Sequence, residues 1–343
     1  MLPERILDEP QLDRILSEPG SEMVRFIRTV SSPLVILGAG GKMGFTVASL
    51  ARRAADAAGH PLEVVAASRF ADPEVRRRFH DQGIRTESVD LLHPDSLQRL
   101  PDAANVISLV GLKFGTSQDP AMTWAVNTLA PVHGVNRYPD ARWVALSTGN
   151  VYPQVPVAQG GATEDHPLTP PGEYAHAAVA RERLFEFASR SAKTRLVLLR
   201  LNYAVELRYG VLVDIALRLW RGEPVEVSNG WFNCIWQGDA ADRILRSLDL
   251  AAHPPKALNL CHGAILSVRK IATELAQLLN RPVAFTGQES ETALLSDPSR
   301  MDSHFGPPPT PLSEVMRCTA HWIAAGGRVL NRPTRFEVRD GRY

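Results

Sequence analysis

Residues 34–58 read LVILGAGGKMGFTVASLARRAADAA, and this segment is the strongest indication of the fold class. A continuous apolar run, 34–37, leads into a turn with spaced glycines, and a helical pattern of apolar residues follows. In such a turn Gly38 permits the tight bend, Gly41 lets the backbone approach a pyrophosphate, and Gly44 allows the helix to pack closely on the strand. The helix N-terminus then offers free N–H groups to the phosphates. The segment predicts a dinucleotide site, and its predicted cofactor-binding residues are Gly38, Gly41, Lys42, Met43 and Gly44.

The rest of the chain alternates short apolar runs with helical patterns. Near-continuous apolar strands separated by helices are typical of a parallel sheet that is covered by helices on both faces. The sequence therefore predicts an α/β fold with a doubly wound parallel sheet of the Rossmann type. Strands are predicted at 34–37, 62–67, 84–89, 105–110, 142–147, 196–201 and 257–260, and helices at 43–58, 73–81, 120–135, 174–192 and 239–252.

The pattern also predicts how the chain is divided. Apolar residues at helical spacing before residue 30 indicate an N-terminal helical extension over residues 1–32. The dinucleotide-binding domain is predicted to comprise residues 33–203 plus about 232–265. After residue 203 the alternation becomes irregular and richer in proline, which indicates a smaller substrate-binding lobe and tail at about 204–231 and 266–343.

Composition excludes several classes of protein. The chain has 343 residues, of which 44% are hydrophobic, so it has the composition of a protein with a packed core. A net charge of +1 argues against a nucleic-acid partner, and no apolar run approaches the ~20 residues that span a bilayer. The N-terminus lacks the apolar stretch of a signal peptide, and Cys234, Cys261 and Cys318 are too widely spaced for a zinc site. We expect a cytoplasmic protein that binds a small-molecule substrate and neither metal, membrane nor nucleic acid.

The end of the second strand distinguishes between the two nicotinamide cofactors. An acid there binds the ribose hydroxyls of NAD, whereas a basic residue accommodates the 2′-phosphate of NADP. This strand ends with Ser68 and Arg69 and has no acid, so NADP is favoured over NAD. After the third strand, Asp90 and Leu91 are expected beside the adenine, although a capping role for Asp90 is the alternative.

Several further motifs occur in order along the chain. Together with the glycine turn, they make the sequence resemble the extended short-chain dehydrogenase/reductase family, which includes sugar-nucleotide epimerases and dehydratases. The resemblance implies an NAD(P)-dependent oxidoreductase or epimerase/dehydratase that acts on a polar, sugar-like small molecule. The motifs are Val89-Asp90-Leu91, Asn127, LSTGNVY (146–152), PPGEYAHAAVARERL (170–184), LLRLNYA (198–204), QGDAADRIL (237–245) and DPSRMDSHFG (297–306) with PLSEVMRCTAHWI (311–323).

The resemblance assigns catalytic roles to two residues. The family's hydroxyl that polarises the substrate falls on Thr148, and its tyrosine falls on Tyr174, which also lies against the cofactor. A threonine hydroxyl can stabilise a developing oxyanion while a tyrosine gives or takes the proton. Polar side chains near these motifs are predicted to bind the substrate, namely Asn150, Asn202 and Asn233.

One position departs from the family pattern. The lysine that follows the tyrosine by four residues is replaced by Ala178. A unit charge ~5 Å away at an effective dielectric of ~20 is worth about 3 kcal/mol, so its loss leaves Tyr174 a poor base but still an acid. Lys113, after the fourth strand, and Arg181, on the helical face of Tyr174, are the candidate replacements. Lys113 is slightly preferred because the strand end faces the cofactor.

Two functions stay open from the sequence. The first is the enzyme described above, and the second is a catalytically silent NAD(P)-binding protein that senses redox state. Ala178 favours the second, whereas retention of Thr148 and Tyr174 favours the first. The resemblance also implies a homodimer that pairs through helix 120–135 and the tyrosine-bearing helix.

Overall fold

The computed structural model describes residues 1–116 and 118–342, and its centre is a parallel sheet of seven strands. In the order of the sheet, these strands are β7, β6, β5, β4, β1, β2 and β3. Every neighbouring pair is parallel. The strands are β1 (Leu34–Leu37), β2 (Val64–Ser68), β3 (Arg85–Ser88), β4 (Asn105–Ser108), β5 (Arg142–Thr148), β6 (Arg195–Leu201) and β7 (Lys256–Leu260). The order reverses between β1 and β4, which confirms the doubly wound fold predicted from the sequence.

Eleven helices within the described residues precede, connect or follow these strands. They are α1 (Glu9–Leu16), α2 (Ser21–Ile27), α3 (Gly44–Ala58), α4 (Pro73–His80), α5 (Pro120–Arg137), α6 (Glu173–Ala192), α7 (Val211–Arg221), α8 (Gln237–Arg246), α9 (Val268–Leu279), α10 (Ser299–Phe305) and α11 (Leu312–Ala324). Local signals set several of their ends. The Asp72 carboxylate accepts from Glu74 N at 2.9 Å at the start of α4, and Gly59 ends α3 with a positive φ.

Four pairs of two-residue strands lie outside the main sheet. They join distant parts of the chain, and they are Val155–Pro156 with Thr292–Ala293, Ala204–Val205 with Ile235–Trp236, Val225–Glu226 with Phe285–Thr286, and Trp231–Phe232 with Leu266–Ser267. Short 3₁₀ turns are found at Pro94–Arg99, Gly149–Val151, Val157–Gln159 and Ser247–Leu250. The helix predicted at 239–252 therefore ends as an α-helix at Arg246 and continues as a 3₁₀ turn.

Both faces of the sheet are buried, because successive side chains of a strand point to opposite sides. In β1, Leu34 and Ile36 belong to a core that includes residues of α2, α3 and α8. Val35 and Leu37 belong to the core on the other face, which contains Trp143 of β5 and residues of α5 and α6. The central strand β1 is apolar at every position for this reason, whereas the edge strand β3, with the sequence RTES, is partly exposed.

A third apolar core lies among α1, α7, α9 and α11. Leu12 and Leu16 of α1 are buried in it, whereas Met23 and Ile27 of α2 are buried in the core that contains α3 and α8. The two N-terminal helices thus contribute to different cores. Within the described residues, every helix is too short or too polar to cross a bilayer.

Candidate active site

The glycine turn leaves the backbone at the carboxyl end of β1 without bulky side chains. Gly38 has a φ of 77°, which favours glycine, and a Cβ at Gly44 would overlap the carbonyl of Ala39. A Cβ at Gly40 would lie 2.6 Å from the hydroxyl of Ser68 at the end of β2. Gly44 N donates to Gly41 O at 3.2 Å, and the start of α3 has no side-chain cap, so the next N–H groups of its first turn are available to phosphate oxygens. These features fit the pyrophosphate of a dinucleotide.

A cleft of about 440 Å³ opens beside the ends of β2 and β3. Two basic side chains, Arg69 and Arg99, line it together with Asp90. The Asp90 carboxylate accepts from Leu92 N at 3.0 Å, so the capping role that the sequence left as an alternative is present here. Leu91 is nearly buried, and its carbonyl contacts the ring of His133. The other residues that line this cleft are Ser88, Val89, His93, Asp95 and Ser96.

A second cavity, of about 190 Å³, contains most of the residues that the sequence assigned to catalysis. Thr148 comes from the end of β5, and Tyr174 comes from the first turn of α6. Both are nearly buried, at 8% and 7% exposure. The other predicted residues in its lining are Lys42, Lys113, Asn150, Arg181 and Asn202. The predicted residues come from five separate segments of the chain, and the fold places their side chains around one cavity.

The hydroxyl of Thr148 is held by its neighbour in the chain. Asn150 N donates to Thr148 Oγ1 at 3.2 Å, and Thr148 Oγ1 donates to Asn150 Oδ1 at 3.1 Å. The first bond fixes the oxygen, while the proton can leave the second bond for a substrate oxygen. This is the arrangement that a polarising hydroxyl needs.

Arg181 reaches the end of β4 from α6. Its Nη1 donates to Val110 O and to Asn127 Oδ1, both at 2.9 Å, and the residue is 3% exposed. Its Nε has no hydrogen-bond partner among the described residues. Ala178 is buried and belongs to an apolar cluster with Val151. At the position of the family's lysine, α6 thus carries Ala178, which makes an apolar contact. Three residues later the helix carries Arg181, a cation that lines the cavity.

Two lysines in the same lining are half-buried. Lys42 Nζ donates to Ala204 O at 3.0 Å and lies 3.7 Å from the ring centroid of Tyr209. Burial lowers the pKa of Lys42 to about 7, an effect that nearby Glu206 opposes. Burial likewise lowers the pKa of Lys113 to about 8, against the attraction of Asp214. Both amines therefore change their charge near neutral pH.

The three predicted substrate-binding asparagines are not equivalent. Asn150 and Asn202 line the cavity, but Asn233 is fully buried and does not belong to the lining. Asn202 Nδ2 donates to Asn233 Oδ1 at 2.7 Å, and Asn233 Nδ2 donates to Ser296 O at 2.6 Å. Asn233 therefore positions Asn202 from behind. The part of the chain that the structure describes holds no cluster of three metal-ligating side chains.

Comparison with known proteins gives the family. The sequence profile of the NAD dependent epimerase/dehydratase family matches residues 34–208, which is about half of the chain. The chain belongs to this family. No curated protein matches the sequence.

Solved structures of the family share the fold at low sequence identity. UDP-glucose 4-epimerase of Thermus thermophilus, in complex with NAD, superposes with a TM-score of 0.70 at 19% identity, covering 87% of this chain and 100% of that chain. dTDP-glucose 4,6-dehydratase of Bacillus anthracis, also with NAD, gives 0.73 at 12% identity, covering 85% and 96%. UDP-glucuronic acid 4-epimerase of Bacillus cereus, again with NAD, gives 0.71 at 15% identity, covering 86% and 98%.

Sequence reasoning missed a buried ion pair beneath the site of this family member. Arg200 of β6 and Glu182 of α6 are 2.7 Å apart, with side chains 5% and 0% exposed. Ser147, next to Thr148, donates to the same carboxylate, and Arg200 also donates to Tyr152 at 2.7 Å. The network ties the end of β5 to α6. An arginine inside the apolar run LVLLRL is the signal that predicts such a pair.

Proposed function

We propose that this protein is an NADP-dependent oxidoreductase or epimerase/dehydratase that acts at a carbonyl or carbinol carbon of a polar small molecule. The observation that carries the proposal is the shared cavity of Thr148 and Tyr174 at the carboxyl edge of the sheet, beside the glycine turn. The nicotinamide cofactor, when bound, supplies the hydride donor or acceptor. NAD is the alternative cofactor.

In this mechanism Tyr174 gives a proton to the substrate oxygen or takes one from it. Thr148 donates a hydrogen bond to the same oxygen and stabilises its negative charge. Asn150 holds the Thr148 oxygen through its backbone N–H, which directs the hydroxyl proton. Asn202, positioned by Asn233, binds a polar group of the substrate.

Arg181 is the cation that replaces the missing lysine. It lies on the helical face of Tyr174, and its guanidinium is fixed at the end of β4 by Val110 O and Asn127. Guanidinium keeps its charge at every physiological pH, whereas the pKa of Lys113 is lowered to about 8. The slight preference for Lys113 that the sequence suggested is therefore reversed. Lys113 assists Tyr174 only at pH values at which its amine is protonated.

NADP is preferred to NAD because of the adenosine end of the site. Arg69 and Arg99 line the cleft beside Ser88, at the strand end where the 2′-hydroxyl of NAD normally meets an acid. Guanidinium groups bind phosphate oxygens in pairs of parallel hydrogen bonds. These two arginines support a 2′-phosphate site, although Asp90 and Asp95 line the same cleft.

The experiment compares two arginines of the same helix. Arg181→Met is expected to weaken NADPH binding at least tenfold in a fluorescence titration, because the cavity loses a fixed cation. Arg183→Met is the matched control, since Arg183 is 59% exposed and pairs with Glu186 on the surface. Equal affinities for the two variants would show that Arg181 is a structural residue only.

The silent NAD(P)-binding protein is the second candidate, and the buried Ala178 is the observation that favours it. The two candidates differ in hydride transfer and not in cofactor binding. Catalytic turnover that depends on Tyr174 supports the enzyme, whereas cofactor binding without any turnover supports the silent protein.

A further inference from the structure

Residues 331–342 lie along the cavity of Thr148 and Tyr174, and we call them the closing segment. Thr334 belongs to the lining of that cavity. Four residues later, Val338 lines a smaller adjoining cavity, which shares Asn150 and Tyr203 with the first one. Further on, Gly341 packs so closely on Pro171 that a Cβ there would overlap the Pro171 carbonyl. The closing segment thus runs from the reaction centre to the loop that precedes α6.

The first half of the closing segment is anchored in the third apolar core. Phe336 is 2% exposed and belongs to that core. Thr334 donates twice to Asp214 Oδ2, from N at 2.7 Å and from Oγ1 at 2.6 Å. Asn229 Nδ2 donates to Phe336 O at 2.6 Å. A buried aromatic ring and three hydrogen bonds hold this half in place.

The second half is held by Arg339. Its Nη1 donates to Thr292 O at 2.7 Å, and its Nη2 donates to Thr292 Oγ1 at 2.7 Å. Gln154 Nε2 donates to the carbonyl of Arg339 at 3.0 Å. The segment is therefore hydrogen-bonded to Thr292 and to Gln154, and it packs on the loop before α6 through Gly341.

The space left by the closing segment is small. The main cavity has about 190 Å³, and the adjoining cavity beneath Val338 and Arg339 has about 20 Å³, which is room for roughly one water molecule. Pockets for drug-sized ligands measure ~300–1,000 Å³. Since the nicotinamide end of a cofactor needs part of the main cavity, the remainder suits a substrate of few atoms.

The charge of the cavity indicates the class of that substrate. Lys42, Lys113 and Arg181 line it, and its lining residues within the described chain include no Asp or Glu. Glu206 attracts Lys42 and Asp214 attracts Lys113 from just behind the lining, whereas Arg181, among the described residues, bonds only the neutral oxygens of Val110 and Asn127. The uncompensated charge of Arg181 therefore attracts an anion into the cavity. A carboxylate on the substrate would meet this charge directly.

We propose that the substrate is a small hydroxy or oxo acid that is not linked to a nucleotide, and that the closing segment excludes nucleotide-linked sugars. The inference rests on the proposed function, and it gives that function its substrate class. It also assigns the three residues of the closing segment that line the cavities, Thr334, Val338 and Arg339, a role in excluding larger substrates from the site.

The test uses a matched pair of ligands, glucuronate and UDP-glucuronate, which differ only in the nucleotide. Gluconate, lactate and pyruvate complete the panel of small acids, and glucose is the neutral control. Each is titrated into the full-length protein saturated with NADPH, and binding is followed by cofactor fluorescence and calorimetry. At least one small acid is expected to bind at least a hundredfold more tightly than UDP-glucuronate and glucose.

Two variants test the role of the closing segment. Deletion of residues 338–343 keeps Thr334 and Phe336, and it is expected to tighten UDP-glucuronate binding at least tenfold. Arg342→Ala is the control, because Arg342 is 84% exposed and pairs only with Asp340 on the surface. Thermal melting and NADPH affinity verify that each variant is folded.

Three results would overturn the inference. In the first, UDP-glucuronate binds to the unaltered protein as tightly as any small acid does. In the second, no acid of the panel binds. In the third, the folded deletion variant binds UDP-glucuronate no more tightly than the unaltered protein does. Absence of NADPH binding would instead refute the proposed function, so the two failures are distinguishable.

Discussion

Binding of a dinucleotide should make this protein take up protons, because two half-buried lysines, Lys42 and Lys113, face the space that the cofactor would enter. The pKa of Lys42 is lowered to about 7 and that of Lys113 to about 8, in both cases mainly by burial. At pH 8 Lys42 is then roughly 10% protonated and Lys113 roughly 50%. A phosphate charge ~5 Å from each amine raises its pKa by about 2 units, since it contributes about 3 kcal/mol at an effective dielectric of ~20.

The expected uptake follows from these fractions. Binding at pH 8 should take up about 1.4 protons, whereas binding at pH 6 should take up only about 0.1, because both lysines are already charged there. The measurement is isothermal titration calorimetry with NAD in buffers of different ionisation enthalpy. NAD is chosen since it lacks the 2′-phosphate, a group whose own titration near pH ~6 would contribute protons.

Variants assign the protons to residues. Lys42→Met should reduce the uptake at pH 8 by roughly 0.9 proton, and Lys113→Met by roughly 0.5. Lys256→Met is the control, because Lys256 is exposed. An uptake below ~0.3 proton at pH 8, in protein that binds NAD, would refute the placement of the cofactor phosphates beside these lysines.

Three further predictions concern the cofactor, the core and the assembly. Arg69→Ala should bring the dissociation constant of NADPH close to that of NADH, and fluorescence titration with both cofactors checks this; equal constants in the unaltered protein would contradict it. Glu182→Gln should lower the free energy of unfolding by roughly 3–5 kcal/mol in urea denaturation, because Arg200 keeps a buried charge without its partner; a loss below ~1 kcal/mol would disprove the role of the pair. We also propose a homodimer through α5 and α6, where Leu129 and Phe187 are 50% and 61% exposed; Phe187→Glu should convert it to a monomer in sedimentation velocity, and an unaltered protein that sediments as a monomer would contradict the dimer.

Lys42 also links stability to pH. Its folded-state pKa of about 7 lies below the ordinary lysine value of 10.5, so unfolding binds a proton between these two pH values. The contribution of Lys42 to stability therefore rises with pH across this window. Lys42→Met should stabilise the protein without cofactor at pH 6 and should flatten the rise, which urea denaturation at several pH values measures. A variant with the same stability profile as the unaltered protein would show that Lys42 is not buried in solution.

Sequence reasoning located the sheet, and it selected residues that the fold does place around one cavity, because both depend on local patterns. The central strands are apolar on both faces, and most motif residues lie at a strand end or in the first turns of a helix. A doubly wound sheet brings all such ends to one edge, so Thr148, Tyr174 and Lys113 meet without any knowledge of long-range contacts.

The parts that sequence reasoning missed depend on contacts between distant residues. Thr334 and Asp214 are 120 residues apart, and no period or spacing in the chain predicts their hydrogen bonds. The same is true of Asn233, whose amide points to Ser296 and Asn202 and not into the cavity. Side-chain burial, and with it the charge of Lys42, follows only from the packed structure.

Tyr174 is proposed to transfer a proton in a hydride-transfer reaction, and isotope transfer tests this role without a known substrate. NADPH carrying tritium at both C4 positions is incubated with the unaltered protein or with Tyr174→Phe, in the presence of a pool of small oxo acids, which can accept the hydride. Label is expected to enter a non-cofactor product with the unaltered protein and to fall at least a hundredfold with Tyr174→Phe, while both proteins bind NADPH. Equal labelling by both proteins, or no labelling by either while NADPH is bound, would contradict it.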